Sequence, residues 1–404
     1  MAGKQGEVAL RRVLTLPELV AYGVGTTVGA GIYVLIGKVA GLAGAQGVYA
    51  FLLACVAVVL PATAYAEFVG RVPTAAGSAG YVARGTRLAW LGTLAGILVG
   101  GAGLLSSAAL ALGAAGYLAR WLALPQPAMA LALVSMLALV AMWGIRESVW
   151  LAGLITLMEV GVLVAVLLAG LAQTPDEVLA VVATPPPVAP EQAAAVLAAT
   201  LLTFFAFIGF EDMVTVAEEA KEPGRAIPRA IFITLVVTLV LYVGVYAVAL
   251  AVADAAALAA SSEPLALVAE RLHAVPAPVV GGVAVVAVIN GVLIQIVMAS
   301  RILYGLARAG HVPAVLGRVH ARRRTPMVAI ALCWGIIALL VLALPVEQLA
   351  AHTSRLVLAI YALVCLSLLL VKWRGEPAPA GVFRAPVPLV AAGLVICVFL
   401  LVMA

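Results

Sequence analysis

Long apolar runs recur along the chain, separated by short polar connections. A helix needs about 20 predominantly apolar residues to cross a hydrocarbon core. Eleven runs approach or exceed that length: residues 13–37, 46–68, 88–118, 128–144, 149–171, 193–216, 230–252, 279–305, 327–343, 352–371 and 389–404. They are continuous, without the apolar/polar alternation of a membrane-barrel strand, so they predict helices whose backbone groups are satisfied within each segment. The connections are too short for a soluble domain, and residues 1–404 read as a single transmembrane domain. The longest outer connections are 172–192, rich in proline, and 253–278, expected to hold short surface helices.

Composition agrees with the pattern. Hydrophobic residues make up 65% and charged residues 10% of 404 positions, and the mean hydropathy is +1.21. Soluble domains are nearer half apolar and a quarter charged. The first run follows Lys4, Arg11 and Arg12 but is long and lacks a small-residue cleavage site, so it is expected to be a span and not a cleaved signal peptide. Cys55, Cys333, Cys365 and Cys397 all lie in apolar runs, where they read as small core hydrophobes.

Charge orients the chain. With the N-terminus inside, 19 of the 23 Lys and Arg residues fall in inner connections or at inner helix ends; only Lys38, Arg120, Arg271 and Arg355 fall outside or within a span. That asymmetry predicts a multi-pass protein of the inner (cytoplasmic) membrane with a cytoplasmic N-terminus. The net charge of +5 reflects this placement and does not indicate nucleic acid.

Two runs differ from the rest. The first contains Gly23, Gly25, Gly29, Gly31 and Gly37; the sixth reads Phe204-Phe205-Ala206-Phe207-Ile208-Gly209-Phe210 before Glu211 and Asp212. Glycine lowers helix propensity by about 1 kcal/mol relative to alanine. Clustered glycine at mid-membrane therefore suggests a helix that breaks. A break exposes N–H groups on one half-helix and carbonyls on the other, and a zwitterion needs both. Such glycines also serve as packing contacts between membrane helices. Breaks in corresponding spans, here one and six, favour a transporter site built from two five-helix repeats of inverted topology.

At these residues the sequence resembles the amino acid–polyamine–organocation superfamily of transporters. Gly29-Ala30-Gly31 is similar to that family's small-residue break in helix 1, with Ala30 in place of the usual serine. Phe205-Ala206-Phe207-Ile208-Gly209-Phe210-Glu211 is similar to its helix 6 signature, and Glu218-Glu219 through Pro223, Pro228 and Arg229 to the inner loop that follows. Arg71 to Tyr81 resembles the loop after helix 2, and Ser300-Arg301-Ile302-Leu303-Tyr304 to Pro313 the end of helix 8.

The resemblance implies an all-α membrane protein of the LeuT type with about eleven helices. Residues 13–171 and 193–371 would be the two inverted repeats, and 387–404 an additional helix. It implies alternating access, with amino acid as substrate, membrane lipids as surroundings, and a monomer or homodimer as the working form. Thr27, Gly29, Ala30 and Gly31 of helix 1 and Phe205, Ala206, Ile208 and Gly209 of helix 6 would form the substrate site. Amides of Ala30 and Gly31 would hold the carboxylate, and carbonyls of Thr27, Phe205 and Ile208 the ammonium. Phe205 would cap the site from outside. No cofactor is implied beyond a coupling ion, proton or sodium. Where proton-coupled relatives carry a helix 5 lysine, this chain has Glu159. Relatives commonly have twelve spans or more.

Ionisable residues within spans are costly and mark functional candidates. Glu159 would carry the coupling proton, ligate a cation, or sit protonated between helices. Glu211 is a second candidate for coupling or gating, against a simpler role in satisfying the broken backbone. Ser300 would line the ion site or bond its own helix. Arg355 would snorkel outward or face the substrate path. Glu67, Glu218, Glu219 and Glu222 would pair with Arg225 and Arg229 in an inner gate, or stay solvated.

Other functions fit less well. The four histidines are scattered and no helix carries a metal pair, as a membrane enzyme would need. Repeated polar filter segments, as in a pore, are missing from the sequence. A polyamine or organic-cation carrier would draw on Glu159, Glu211 and Asp212. Spans three and eight are lined by Ala, Gly, Leu and Val, which suggests a small or apolar substrate.

Overall fold

The computed structural model describes residues 14–72, 77–143, 149–217, 219–273, 275–308, 310, 312–320, 322–323 and 325–403. Lys4, Arg11, Arg12, Arg146, Glu218, His311 and Arg324 lie outside the described residues, and Ala30 is described by its backbone alone.

The described chain is helical throughout. The first crossing is two helices, α1 (Leu16–Thr27) and α2 (Ala30–Ala43); a 3-10 turn (Gly44–Gln46) leads into α3 (Gly47–Arg71). A short helix α4 (Gly77–Thr86) precedes α5 (Ala89–Leu118), α6 (Gln126–Trp143) and α7 (Val149–Gln173). The proline-rich connection carries α8 (Pro175–Val182). The sixth crossing combines α9 (Pro190–Phe207) with a 3-10 turn at Phe210–Val214. Then follow α10 (Pro223–Val252), two short helices α11 (Ala255–Ala260) and α12 (Pro264–Arg271), and α13 (Ala277–Arg308), α14 (Met327–Ala343), α15 (Val346–Trp373) and α16 (Val387–Met403).

Eight stretches are long and apolar enough to cross a membrane. One of them, Gly31–Arg71, contains the turn that separates α2 from α3. The helices α14 and α16 are shorter, 17 residues each, about 25 Å at 1.5 Å per residue. With α1 and α2 taken together, α3 next, and these two added, the described helices match the eleven apolar runs of the sequence one for one. Exposed Leu139, Leu157, Leu168, Val236, Val240, Leu339 and Leu342 cover the outer surface of the bundle, an arrangement stable only in an apolar solvent.

Helix ends follow local chemistry. Thr15 opens α1, its amide and hydroxyl both donating to the Glu18 carboxylate at 2.7 Å, the Glu18 half of a capping box. Proline opens α8, α9, α10 and α12, where its missing N–H costs nothing. Two spans begin earlier than the sequence predicts, and one helix is added. The seventh span begins at Pro223, seven residues before 230. The tenth span begins at Val346, six residues before 352, because the polar stretch there is turned inward: Leu349, Ala350, Thr353 and Ser354 are buried. Helix α4 was not foreseen; its sequence is too short and polar to read as a span.

Contacts between connections define two faces. On one, the backbone of Leu14 pairs with Glu219 and Lys221, Phe383 donates to the Gly224 carbonyl, and Arg374 reaches the Gly85 carbonyl. This basic face gathers Arg71, Arg84, Arg87, Lys221, Arg225, Lys372 and Arg374. On the other, Lys38 of α2 pairs with Glu347 of α15 at 3.0 Å, Arg120 with Glu263 at 2.9 Å, and Gln173 with the Leu272 carbonyl. Between the faces α5 packs along α13 and α15, and α2 and α3 pack on α9.

Candidate substrate site at two helix breaks

The first break is two residues long. Val28 leaves the helical region at φ −82°, ψ 83°, and extended Gly29 begins α2. The amide of Gly29 turns back onto the Thr27 carbonyl at 3.1 Å. The first-turn amides of α2, Ala30 and Gly31 among them, have no carbonyl one turn earlier to meet. The second break lies between Phe207 and Phe210. Gly209 holds φ +127°, a conformation open to glycine and strained for other residues.

The two breaks touch. A Cβ on Gly209 would collide with the Thr26 carbonyl. A Cβ on Gly31 would lie 3.2 Å from the Ala206 Cα and 3.4 Å from the Phe205 ring. At Gly29, by contrast, a Cβ would meet nothing within 4 Å, and both Gly29 and Ile208 are only half-buried while Thr27, Phe205 and Ala206 are buried. Space is open where the half-helix ends converge.

A tyrosine joins them. The hydroxyl of Tyr242 on α10 lies 3.0 Å from the Thr27 carbonyl and 3.0 Å from the Ala206 carbonyl, with its one proton shared between two acceptors. The Phe205 carbonyl accepts the Ile208 amide at 3.3 Å. Of the three carbonyls expected to receive the substrate ammonium, two therefore already hold partners within the protein.

The coupling candidates separate into distinct neighbourhoods. Glu159 on α7 is buried, and its backbone carbonyl accepts the Tyr33 hydroxyl at 2.6 Å. Tyr117 of α5 in turn donates to the Tyr33 carbonyl at 2.8 Å, tying α5, α2 and α7 together. The Glu159 carboxyl lies within electrostatic reach of the Tyr33 and Tyr242 hydroxyls. Glu211 serves the second break: its carboxylate accepts the Gly209 amide at 2.9 Å and the Tyr361 hydroxyl of α15 at 2.8 Å. Tyr361 packs among Tyr65, Phe204 and Phe210 with ring centroids 5.4–5.9 Å apart. Ser300 is buried and bonds the Val297 carbonyl of its own helix at 2.8 Å. Arg355, half-buried and a full nine residues into α15, has its Nη1 3.3 Å from Nδ1 of His352.

The inner gate differs from expectation. Glu67 pairs not with Arg225 or Arg229 but with Arg71 at 2.8 Å and Lys372 at 2.6 Å, and accepts the Ala385 amide at 2.8 Å. It is 0% exposed. The physical reason is proximity: Arg71 is one turn away on α3, and Lys372 sits at the end of α15 beside it, whereas Arg225 reaches the Gly381 carbonyl. Glu376 closes the cluster, meeting Arg374, Arg87 and Arg84. Hydrogen bonds from Arg374 and then Arg87 hold its carboxyl below the usual glutamate range.

Tyr33, Tyr242 and Tyr361 are the site residues that sequence reasoning missed. Their signal was available: a tyrosine inside an apolar span must find a partner for its hydroxyl, and a broken helix offers free carbonyls.

Known proteins similar to the chain are membrane transporters and permeases. A cationic amino acid transporter of Arabidopsis thaliana is 30% identical over 91% of this chain and 63% of its own length. The branched-chain amino acid permease BcaP of Bacillus subtilis is 28% identical over 99% of this chain and 90% of its own. An uncharacterised transporter of Mycobacterium tuberculosis is 33% identical over 97% and 86%. The chain thus spans less than two thirds of the plant relative's length. Residues 14–404 match the family model described as amino acid permease, and the chain belongs to that family of membrane transporters.

Proposed function

We propose that this protein is a secondary active carrier of amino acids in the cytoplasmic membrane, working by alternating access with proton-coupled symport or exchange. The reading rests on one observation above the others: the two breaks converge, Gly31 on Ala206 and Gly209 on Thr26, with open space at Gly29. Partial positive charge at the start of α2 suits a carboxylate. Carbonyl ends of α1 and α9, including that of Ile208, suit an ammonium. The named relatives transport cationic or branched-chain amino acids; common to both is the α-amino acid head group, which the two breaks can recognise. Residues 13–171 and 193–371 act as the two repeats, the gathering of Lys and Arg on one face favours a cytoplasmic N-terminus, and Glu159 carries the coupling proton.

The test is uptake by proteoliposomes of a radiolabelled amino acid panel, with and without an inward proton gradient, for wild type and Glu159→Gln. Gradient-driven uptake of one amino acid class that Glu159→Gln abolishes is the expected result. Uptake that ignores the gradient and survives the substitution would keep the carrier and remove Glu159 from coupling. If no amino acid is transported under either condition, the reading fails, and a polyamine panel becomes the next measurement.

A further inference from the structure

Among the described residues, buried Ser and Thr hydroxyls follow a rule with three exceptions. Ser and Thr in a membrane helix normally donate to a carbonyl of the preceding turn. Thr63, Ser107, Thr200, Thr203, Ser300, Thr353, Ser354 and Ser367 are all buried, and each donates to a backbone carbonyl. Thr27, Thr234 and Thr238 are equally buried, at 2%, 0% and 0% exposure, and their hydroxyls have no protein partner.

These three share one seam. Thr234, Thr238 and Tyr242 are spaced four residues apart on α10, hence on one face. Opposite them run Gly23 and Thr27 of α1, also four apart. A Cβ on Gly23 would lie 2.6 Å from the Thr234 hydroxyl, and Tyr242 reaches the Thr27 carbonyl. Both helices start at the basic face. The hydroxyls from Thr234 to Tyr242 therefore form a lane of about 12 Å, at 1.5 Å per residue, that starts about three turns into α10 and ends at the break. Met213 lies against Gly23 at the lower end, a flexible side chain able to give way. At the upper end stands Tyr242, and α7, which carries the buried Glu159, packs against both α1 and α10.

Unpartnered buried hydroxyls call for water or an ion, and a bridging water needs two to four polar partners. The lane supplies three hydroxyls and a phenol, with no carboxylate of its own to hold a metal cation. We propose that the seam between α1 and α10 is a hydrated proton path joining the basic face to Glu159. It rests on the coupling role of Glu159 given above. The Glu159 carboxyl releases one proton to the water held by Tyr242, Thr27, Thr238 and Thr234; the proton leaves as hydronium at the basic face, and a carboxylate remains. On the elements packed against α7, the other ionisable groups are Tyr33 and Lys38 of α2, the latter paired with Glu347; Tyr22 and Glu18 of α1; Arg225, Arg229 and Tyr246 of α10; Arg301, Tyr304 and Arg308 of α13; and Asp176 and Glu177 of α8. Among these, Tyr33 donates to the backbone carbonyl of Glu159 itself.

Two measurements test it. First, a hydrophilic methanethiosulfonate is applied from the basic face to a Thr238→Cys variant, with mass spectrometry as readout. Wild type controls for the four buried native cysteines, and Val236→Cys, on the exposed side of α10, for lipid-facing positions. Modification at 238 but not at 236 is expected; an inert Thr238→Cys overturns the proposal. Second, the Thr234→Val/Thr238→Val double variant is reconstituted beside Glu159→Gln and a Thr234→Ser/Thr238→Ser rescue. The valine variant should lose gradient-driven accumulation yet keep counterflow exchange, and serine should restore it. Proton-driven uptake unchanged by valine, while Glu159→Gln abolishes it, overturns the seam alone. Gradient dependence that survives Glu159→Gln defeats the coupling reading itself and the path with it. Loss of sodium-driven instead of proton-driven uptake would replace the water path by a cation site.

Discussion

The Tyr242 hydroxyl is a single atom on which both breaks depend, so Tyr242→Phe isolates their coupling. The ring stays, and with it the packing on Phe207 and Phe51, whose centroids lie 5.3 and 6.1 Å away. Only the oxygen 3.0 Å from the Thr27 and Ala206 carbonyls is lost. The Thr27 carbonyl keeps the Gly29 amide; the Ala206 carbonyl loses its cross-helix partner. A net hydrogen bond is worth about 1 kcal/mol, and a buried acceptor left without a partner adds to that. A total of about 1–2 kcal/mol against the docked arrangement corresponds to roughly a 5- to 30-fold shift in an equilibrium. Initial uptake rates in proteoliposomes should fall by a comparable factor, with a modest drop in melting temperature in detergent. Tyr246→Phe is the control: it also packs on Phe51, at 5.2 Å, but its hydroxyl bonds Gly44 at the far end of α2, so it should lower melting temperature and leave uptake near wild type. If Tyr242→Phe transports within twofold of wild type and melts with it, the hydroxyl does not join the breaks and the reasoning is wrong.

Three further outcomes are expected. Gly209→Ala must hold a positive φ and press a Cβ onto the Thr26 carbonyl; strain of about 1–3 kcal/mol from the backbone alone should separate the breaks and abolish uptake while the protein still inserts and purifies, which size-exclusion chromatography and transport together would show. Glu67→Gln keeps an acceptor for Ala385 but leaves Arg71 and Lys372 without their buried counter-charge, a loss on the order of 3 kcal/mol; thermal melting should fall clearly, and an unchanged melting temperature would show the cluster to be ornamental. Glu376 has a lowered folded-state pKa, so its contribution is fully present above the ordinary glutamate value of about 4.3 and is lost as pH falls through the lower folded value; the gap in melting temperature between wild type and Glu376→Gln should be open at pH 7 and close in acid.

What the sequence carried and what it withheld divide along a physical line. Apolar length and glycine clustering are properties of a segment by itself, so the crossings and both breaks were legible, including the roles of Gly29, Gly31 and Gly209 as backbone positions. Partner choice is a property of two segments brought together by packing. Glu67 illustrates the limit: its charge invited a partner among the loop arginines, but only the fold reveals that the end of α15 delivers Lys372 to it and that Ala385 completes the shell. Glu211 was legible as a residue that satisfies a break, since it follows Gly209 by two positions, but not its bond to Tyr361, 150 residues on. The threonines of α10 were invisible for the opposite reason. A threonine in an apolar span is unremarked because its own helix normally satisfies it. Thr234 and Thr238 become informative only when their hydroxyls are found without that bond, on the face of α10 that meets Gly23 and Thr27 of α1. Polar atoms that a bundle buries without satisfying are where its function is most readily sought, because packing alone would have removed them.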